Sequence, residues 1–355
     1  MYFEPEPKER REDLFDFESQ YEELKNSVIE NRITVIKGIR RTGKTSLMKV
    51  VRNEIRQPSI IIDGRIIEPK QSVLSRTIFK EIILAITREF ADIKLKKTME
   101  RISASLFGLS ITFKFDDTIS QTFQEIDKIL DEKNKKLVIF IDEAQKLTPA
   151  NLAGLMAYIF DNTKNINFVL AGSEVGLLDE FIGGDVKNDL YGRPKHIIET
   201  KRLSYEEARL FLQAGFKQIK RKISEEEIKT VIEKLDGIIG WLTLYGYYSM
   251  KNEKDPVNKV LEDAAKITAS EIDNFLSNRQ SARKIYLRLL EGLKSGLRWV
   301  EVKRLLEASI GKKINDRFVT KYLDELKKYG LITQQNEIYI LADPLTEEGV
   351  RLLTT

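Results

Sequence analysis

The chain has 355 residues, 42% of them apolar and 32% charged, enough for two or three domains with real cores. It carries 59 Lys and Arg against 55 Asp and Glu, a net charge of +4, with no Cys and one His. These counts exclude a disulfide framework, an Fe–S cluster, a thiolate zinc site, a cysteine nucleophile and any multi-His metal site, and they argue against a uniformly basic nucleic-acid coat.

Met1 to Glu12 is charged and lacks the apolar stretch of a signal peptide. No apolar run approaches the roughly 18–20 residues of a spanning helix. The expectation is a cytoplasmic protein with no membrane partner. Arg32-Ile-Thr-Val-Ile-Lys37 is a short β-branched run that stops at Gly38, and a helix-compatible stretch begins near Gly43. Further runs at Ser59–Asp63, Leu137–Ile141, Asn167–Ala171 and His196–Thr200 read as buried strands. Continuous apolar runs of this kind suit a parallel sheet covered by helices on both faces. Helical patterns lie between them at 68–90, 120–132 and 149–162, and an alternating stretch at 102–115 around Gly108 reads as a hairpin.

After Leu203 the strand signals stop. Ser204-Tyr-Glu-Glu has the capping-box pattern, and Ser224-Glu-Glu-Glu repeats it. Helical stretches run 208–219, 224–235, 241–252 and 256–276. Three more follow at 279–294, 299–309 and 315–329. Two short strands then flank a polar turn, the layout of a winged helix-turn-helix. The expected architecture is an α/β sheet domain over 1–202, a helical lid over 203–277 and a winged-helix domain over 278–355.

The strongest chemical signal is Gly38-Ile39-Arg40-Arg41-Thr42-Gly43-Lys44-Thr45, a G-x-x-x-x-G-K-[ST] phosphate loop continuing into Ser46. The glycines let successive N–H groups face phosphate oxygens. Lys44 brings a point charge to the β and γ phosphates, Thr45 offers a hydroxyl to Mg2+, and the following helix places its positive end on the anion. The ligands expected are ATP or ADP with Mg2+. Leu137–Ile141 ends in Asp142-Glu143. Downstream of a phosphate loop, Asp142 is placed to hold the Mg2+ shell and Glu143 to polarise the attacking water; without one, the pair would be solvated acids at a sheet edge. Ser173 follows the fourth strand and reads either as a sensor of the γ-phosphate or as a helix N-cap.

Four segments then occur in a telling order: Arg40-Arg41-Thr42-Gly43-Lys44-Thr45-Ser46-Leu47, Asp142-Glu143-Ala144-Gln145, Ala171-Gly172-Ser173 and Leu190-Tyr191-Gly192-Arg193. Together they resemble the archaeal ATPase family within the AAA+ superfamily, close to the signal-transducing STAND NTPases, best over 12–250. The resemblance implies that Phe15 or Phe17 walls an adenine pocket, where simple N-terminal packing is the alternative. It implies that Arg193 is an arginine finger, usually acting from a neighbouring subunit, where a surface Arg bonded to a backbone carbonyl is the alternative. The chain departs from the pattern at Gly237-Ile238-Ile239-Gly240-Trp241, where Ile239 stands in place of the proline of the nucleotide-sensing turn. No second sensor Arg stands out in the helical segment.

Residues 276–355 hold 15 basic and 10 acidic groups, and 279–328 hold 14 against 6. Arg304, Lys312, Lys313, Arg317, Lys321, Lys327 and Lys328 flank or lie on the second and third winged-domain helices. This face suits DNA phosphates or is a solvated face on a protein-interaction arm. His196, beside Lys195, reads as structural. The resulting expectation is an ATP-hydrolysing switch coupled to a winged-helix arm, with homo-oligomers or a protein partner. The alternative is an ATP-regulated DNA-binding initiator or transcription regulator. A small-molecule kinase fits the long helical extensions poorly.

Overall fold

The computed structural model describes residues 1–65, 117–150, 152–184 and 186–354. The expected helix at 68–90 and hairpin at 102–115 lie outside the described residues. The sheet strands are β1 (Ile33–Lys37), β2 (Ser59–Asp63), β3 (Leu137–Asp142), β4 (Ile166–Gly172) and β5 (His196–Glu199). They pair in the order β2-β3-β4-β1-β5, and every pairing is parallel. β3 and β4 are buried along their whole length, because helices cover both faces of the central strands. β2 and β5 lie at the edges and bury only some of their residues.

The register aligns Lys37 with Gly172 and Asp63 with Asp142. The C-terminal ends of the strands therefore share one rim. Apolar side chains of α1 (Glu18–Glu30) and α2 (Lys44–Glu54) fill one face of the sheet. Those of α3 (Asp117–Glu132) and α4 (Leu152–Asn162) fill the other. Residues 144–150 form a 3-10 turn before α4, so the helix expected from 149 begins at Leu152. The short α5 (Val175–Phe181) follows β4.

The helical lid comprises α6 (Tyr205–Gln218), α7 (Glu225–Leu235), α8 (Ile239–Met250) and α9 (Pro256–Leu276). Ser204 makes the full capping box: its hydroxyl accepts from Glu207 N at 3.3 Å, and its own N–H donates to the Glu207 carboxylate at 2.6 Å. Ser224 makes only half of one. Its hydroxyl caps Glu227 N, but the Glu227 carboxylate instead accepts from the Tyr245 hydroxyl at 2.6 Å. The pull of a buried phenol outweighs the local return bond.

The winged domain holds α10 (Arg283–Gly292), α11 (Trp299–Ile310) and α12 (Asp316–Lys328). Its sheet has three strands, β6 (Leu297–Arg298), β8 (Ile338–Leu341) and β7 (Ile332–Gln335), in that order. A further helix, α13 (Thr346–Thr354), lies against α9. Side chains cross between the lid and winged-domain cores: Ile272, Phe275 and Leu276 of α9 pack with the winged domain, while Leu345 packs with the lid. Phe3 from the N-terminal segment is also buried in the lid core. Among the described residues no helix is long and apolar enough to cross a membrane.

Candidate functional site

The phosphate loop joins β1 to α2 at the rim where the strands end. Gly43 sits at φ +85° with the Phe17 ring against it, a conformation and a closeness that favour glycine. Lys44 Nζ donates to the carbonyls of Gly38 (2.8 Å) and Ile39 (2.6 Å). Burial pushes its pKa down to about 8, although the nearby Glu143 and Asp142 carboxylates oppose the shift. Thr42 ties the loop to itself through Ile39 O and to the last sheet strand through Thr200. The Ser46 hydroxyl accepts from Lys8 N at 3.0 Å, which brings the N-terminal segment over the start of α2.

Asp142 and Glu143 leave the end of β3 beside the loop. Thr45 Oγ1 donates to Asp142 Oδ2 at 2.6 Å. Burial raises the Asp142 pKa, partly offset by that hydroxyl. A hydroxyl and a carboxylate oxygen side by side are hard donors that fit Mg2+, which takes few protein ligands and completes its shell with phosphate oxygens and water. No group of three or more His, Cys, Asp or Glu side chains placed to hold a metal ion occurs among the described residues.

Glu143 adopts φ +50°, unusual for a residue with a side chain. Ser173 donates to Glu143 Oε2 from its hydroxyl at 3.0 Å and from its N–H at 3.3 Å. Ser173 does not cap α5; the residue at that position is Glu174, with no side-chain cap bond. The cleft between sheet domain and lid has a volume of about 580 Å3 and is lined by Lys44, Thr45, Glu143 and Ser173 on one side. Phe15 and Phe17 line it too. Phe15 stacks edge-on with Tyr2 and Phe211, at 5.6 and 5.3 Å, so it belongs to the lid's aromatic cluster, whereas Phe17 is buried beneath the loop.

The lid turn without proline still rests on the phosphate loop. Gly240 N donates to Arg41 O at 3.0 Å, and a Cβ on Gly240 would meet Arg41 Cβ at 2.7 Å. The Arg41 guanidinium lies 4.2 Å from the Trp241 ring centroid. The arginines lining the cleft are Arg40, Arg41 and Arg65, all from the sheet domain rather than the lid.

Arg40 and Arg41 connect the loop to the rest of the molecule. Arg40 bonds Glu174 (2.9 Å), Glu271 of α9 (3.5 Å) and the Tyr329 carbonyl of the winged domain (3.2 Å). Arg41 bonds Glu271 (2.7 Å) and Asp343 (3.1 Å). Asp343 also accepts from Trp241 Nε1 at 3.0 Å. Burial raises its pKa, opposed by Arg41. Glu174 is 3% exposed and holds Lys146 at 2.8 Å as well as Arg40. The partners Glu174, Glu271 and Asp343 escaped the reading of the sequence. The only local trace was the acid following Ser173.

Arg193 stands apart from this group. It bonds Asp161 at 2.6 Å and the Asp189 carbonyl, beside the Phe160 ring. It precedes β5, and β5 begins opposite Thr34, so Arg193 lies at the rim opposite the phosphate loop. His196 has an ordinary partner in Glu23 at 2.8 Å.

A family model described as an ATPase domain predominantly from Archaea matches residues 14–244. Residues 280–341 match the model of the MCM protein C-terminal winged helix-turn-helix domain. The Walker-type ATPase PABY2304 of Pyrococcus abyssi is similar at 30% identity and a TM-score of 0.78, over 99% of this chain and 100% of that one. The ORC2 protein of Aeropyrum pernix, solved as ADPNP–ADP complexes, shares the fold at 14% identity and a TM-score of 0.57, over 99% and 96% of the two chains. A search of the curated proteins gave no match. With the phosphate loop, the paired acids and a matching domain over most of its length, the chain belongs to the archaeal family of P-loop ATPases.

Proposed function

We propose that the protein is an ATP-hydrolysing molecular switch that passes the state of its nucleotide to the winged-helix arm. The observation that carries this reading is the route taken by Arg40 and Arg41. Both occupy positions that the phosphate-loop motif leaves unspecified, yet both bond to α9, and Tyr329 and Asp343 bring the winged domain onto them. A triphosphate entering the loop competes for these guanidinium groups, and a change at the loop is felt at α9 and the wing.

In this reading Lys44 and the loop amides bind the phosphates, and Phe15 or Phe17 walls the base. Thr45 and Asp142 hold Mg2+, which supplies charge neutralisation at the phosphates. Glu143 orients the attacking water and Ser173 reads the γ-phosphate. Arg193 faces away from its own site, which favours delivery to a neighbouring copy over action in cis. Such delivery requires release from Asp161.

Two variants test the hydrolytic part. Lys44→Ala is expected to abolish binding of a fluorescent ATP analogue. Glu143→Gln should bind it normally and lose about 100-fold or more in turnover. Undiminished turnover in Glu143→Gln would remove Glu143 from its role.

A second reading, an ATP-regulated DNA-binding protein, is favoured by Lys312 and Lys313, exposed in the turn before α12, and Arg317, exposed at its start. Other basic groups there already face acids: Lys328 pairs with Glu180 at 2.5 Å and Lys303 with Asp316 at 2.7 Å. Duplex DNA titrated across a salt series should show affinity that falls with salt and weakens in Lys312→Ala/Lys313→Ala. No binding at low salt would dismiss this reading.

A further inference from the structure

Gln145 lies two residues beyond Glu143 and is 5% exposed. It does not line the nucleotide cleft. Its Nε2 donates to Glu143 Oε2 at 2.6 Å. The two donors of Ser173 reach the same oxygen, so three donors converge on Oε2 and leave Oε1 outside the cradle. The other end of the amide, Gln145 Oε1, is buried and has no hydrogen-bond partner among the described residues. It rests against Gly172 of β4, where a Cβ would come within 2.3 Å of it. Reversing the amide would set its oxygen against the Glu143 carboxylate, so the acid fixes its orientation. The Nε2 also lies 3.5 Å from Glu174, the acid that holds Arg40.

A buried glutamine that leaves its carbonyl unsatisfied in order to donate to one carboxylate oxygen serves the placement of that carboxylate. Glu143 needs such support because its backbone is held at φ +50° and its side chain must present one oxygen to a water. We infer that Gln145 is a positioning residue for ATP hydrolysis: it clamps Oε2 of Glu143 and leaves Oε1 directed to the attacking water. The inference rests on the proposed role of Glu143. Gln145 touches neither nucleotide nor Mg2+ ligand and acts only through the carboxylate.

Gln145→Met keeps the volume and removes the donor. Gly172→Ala reaches the same amide from the other side, because its Cβ would meet the Gln145 carbonyl oxygen at 2.3 Å, well inside its nearest contact with another residue, Leu178 Cδ2 at 3.2 Å. Both variants are measured for kcat and KM, for the Kd of a non-hydrolysable ATP analogue, and for thermal midpoint. Each should lose about tenfold or more in kcat, with KM and Kd within about twofold of the parent. Adding Gln145→Met to Glu143→Gln should cost nothing further, since the clamped group is already gone. Parental kcat in a folded Gln145→Met, with Glu143→Gln inactive, overturns the clamp and leaves the role of Glu143 standing. A loss confined to Kd also overturns it. Parental turnover in Glu143→Gln removes both, because nothing catalytic is then left to position.

Discussion

Lys44 is a cation held where charge is disfavoured. Its pKa falls from 10.5 to about 8 through burial. Between those values the unfolded chain binds more protons at this site than the folded one. Stability therefore rises with pH across that window, and the full penalty, on the order of 3 kcal/mol, applies below pH 8. Phosphate oxygens beside the ammonium would restore its charge. At pH 8.5, binding of ADP is expected to take up part of a proton. At pH 6.5, where Lys44 is already charged, this uptake should vanish. Calorimetry in two buffers of different ionisation enthalpy checks this, and binding heats at pH 8.5 that do not depend on the buffer would refute it. That Lys44, Thr45, Asp142 and Glu143 come together at one rim was legible in the sequence, because a phosphate-loop pattern and a strand ending in two acids are both local signals. Glu174, Glu271 and Asp343 were not. Arg41 and Asp343 are 302 positions apart, and no local pattern joins them.

The strands were legible for a related reason. A strand buried on both faces must be apolar throughout, so β1, β3 and β4 stand out, with ends within a residue or two of those expected. The helix α13 was missed. Its start, Thr346-Glu347-Glu348, is a helix signal, but its value comes from packing on α9, about 80 positions earlier in the chain. The half-made capping box at Ser224 shows the same limit, since Tyr245 claims the carboxylate that local sequence assigns to the cap. The edge strand β5 carries a consequence for assembly. Arg193 precedes it at the rim opposite the phosphate loop. If the arginine serves a neighbouring copy, Arg193→Ala and Lys44→Ala are each inactive alone, yet a mixture of the two regains activity. Mixtures as inactive as their components would contradict the arrangement.

The +4 is the sum of a nearly neutral ATPase core and a basic winged domain, and the two meet through charge. Arg40 and Arg41 of the phosphate loop face Glu174, Glu271 and Asp343, while Lys328 of α12 faces Glu180 at the end of β4's following helix. Because α9 lends Phe275 and Leu276 to the winged-domain core, a shift of α9 carries that domain with it. The absence of cysteine makes this motion measurable. Spin labels at Glu132→Cys on α3 and Ser309→Cys on α11 occupy exposed positions on the two bodies. The distance distribution between them is to be recorded without nucleotide, with ADP and with a non-hydrolysable ATP analogue. A switch predicts that the ATP analogue moves the distribution by several ångströms and that Arg41→Ala removes the difference. Identical distributions in all three states would contradict the coupling of nucleotide to the winged-helix arm.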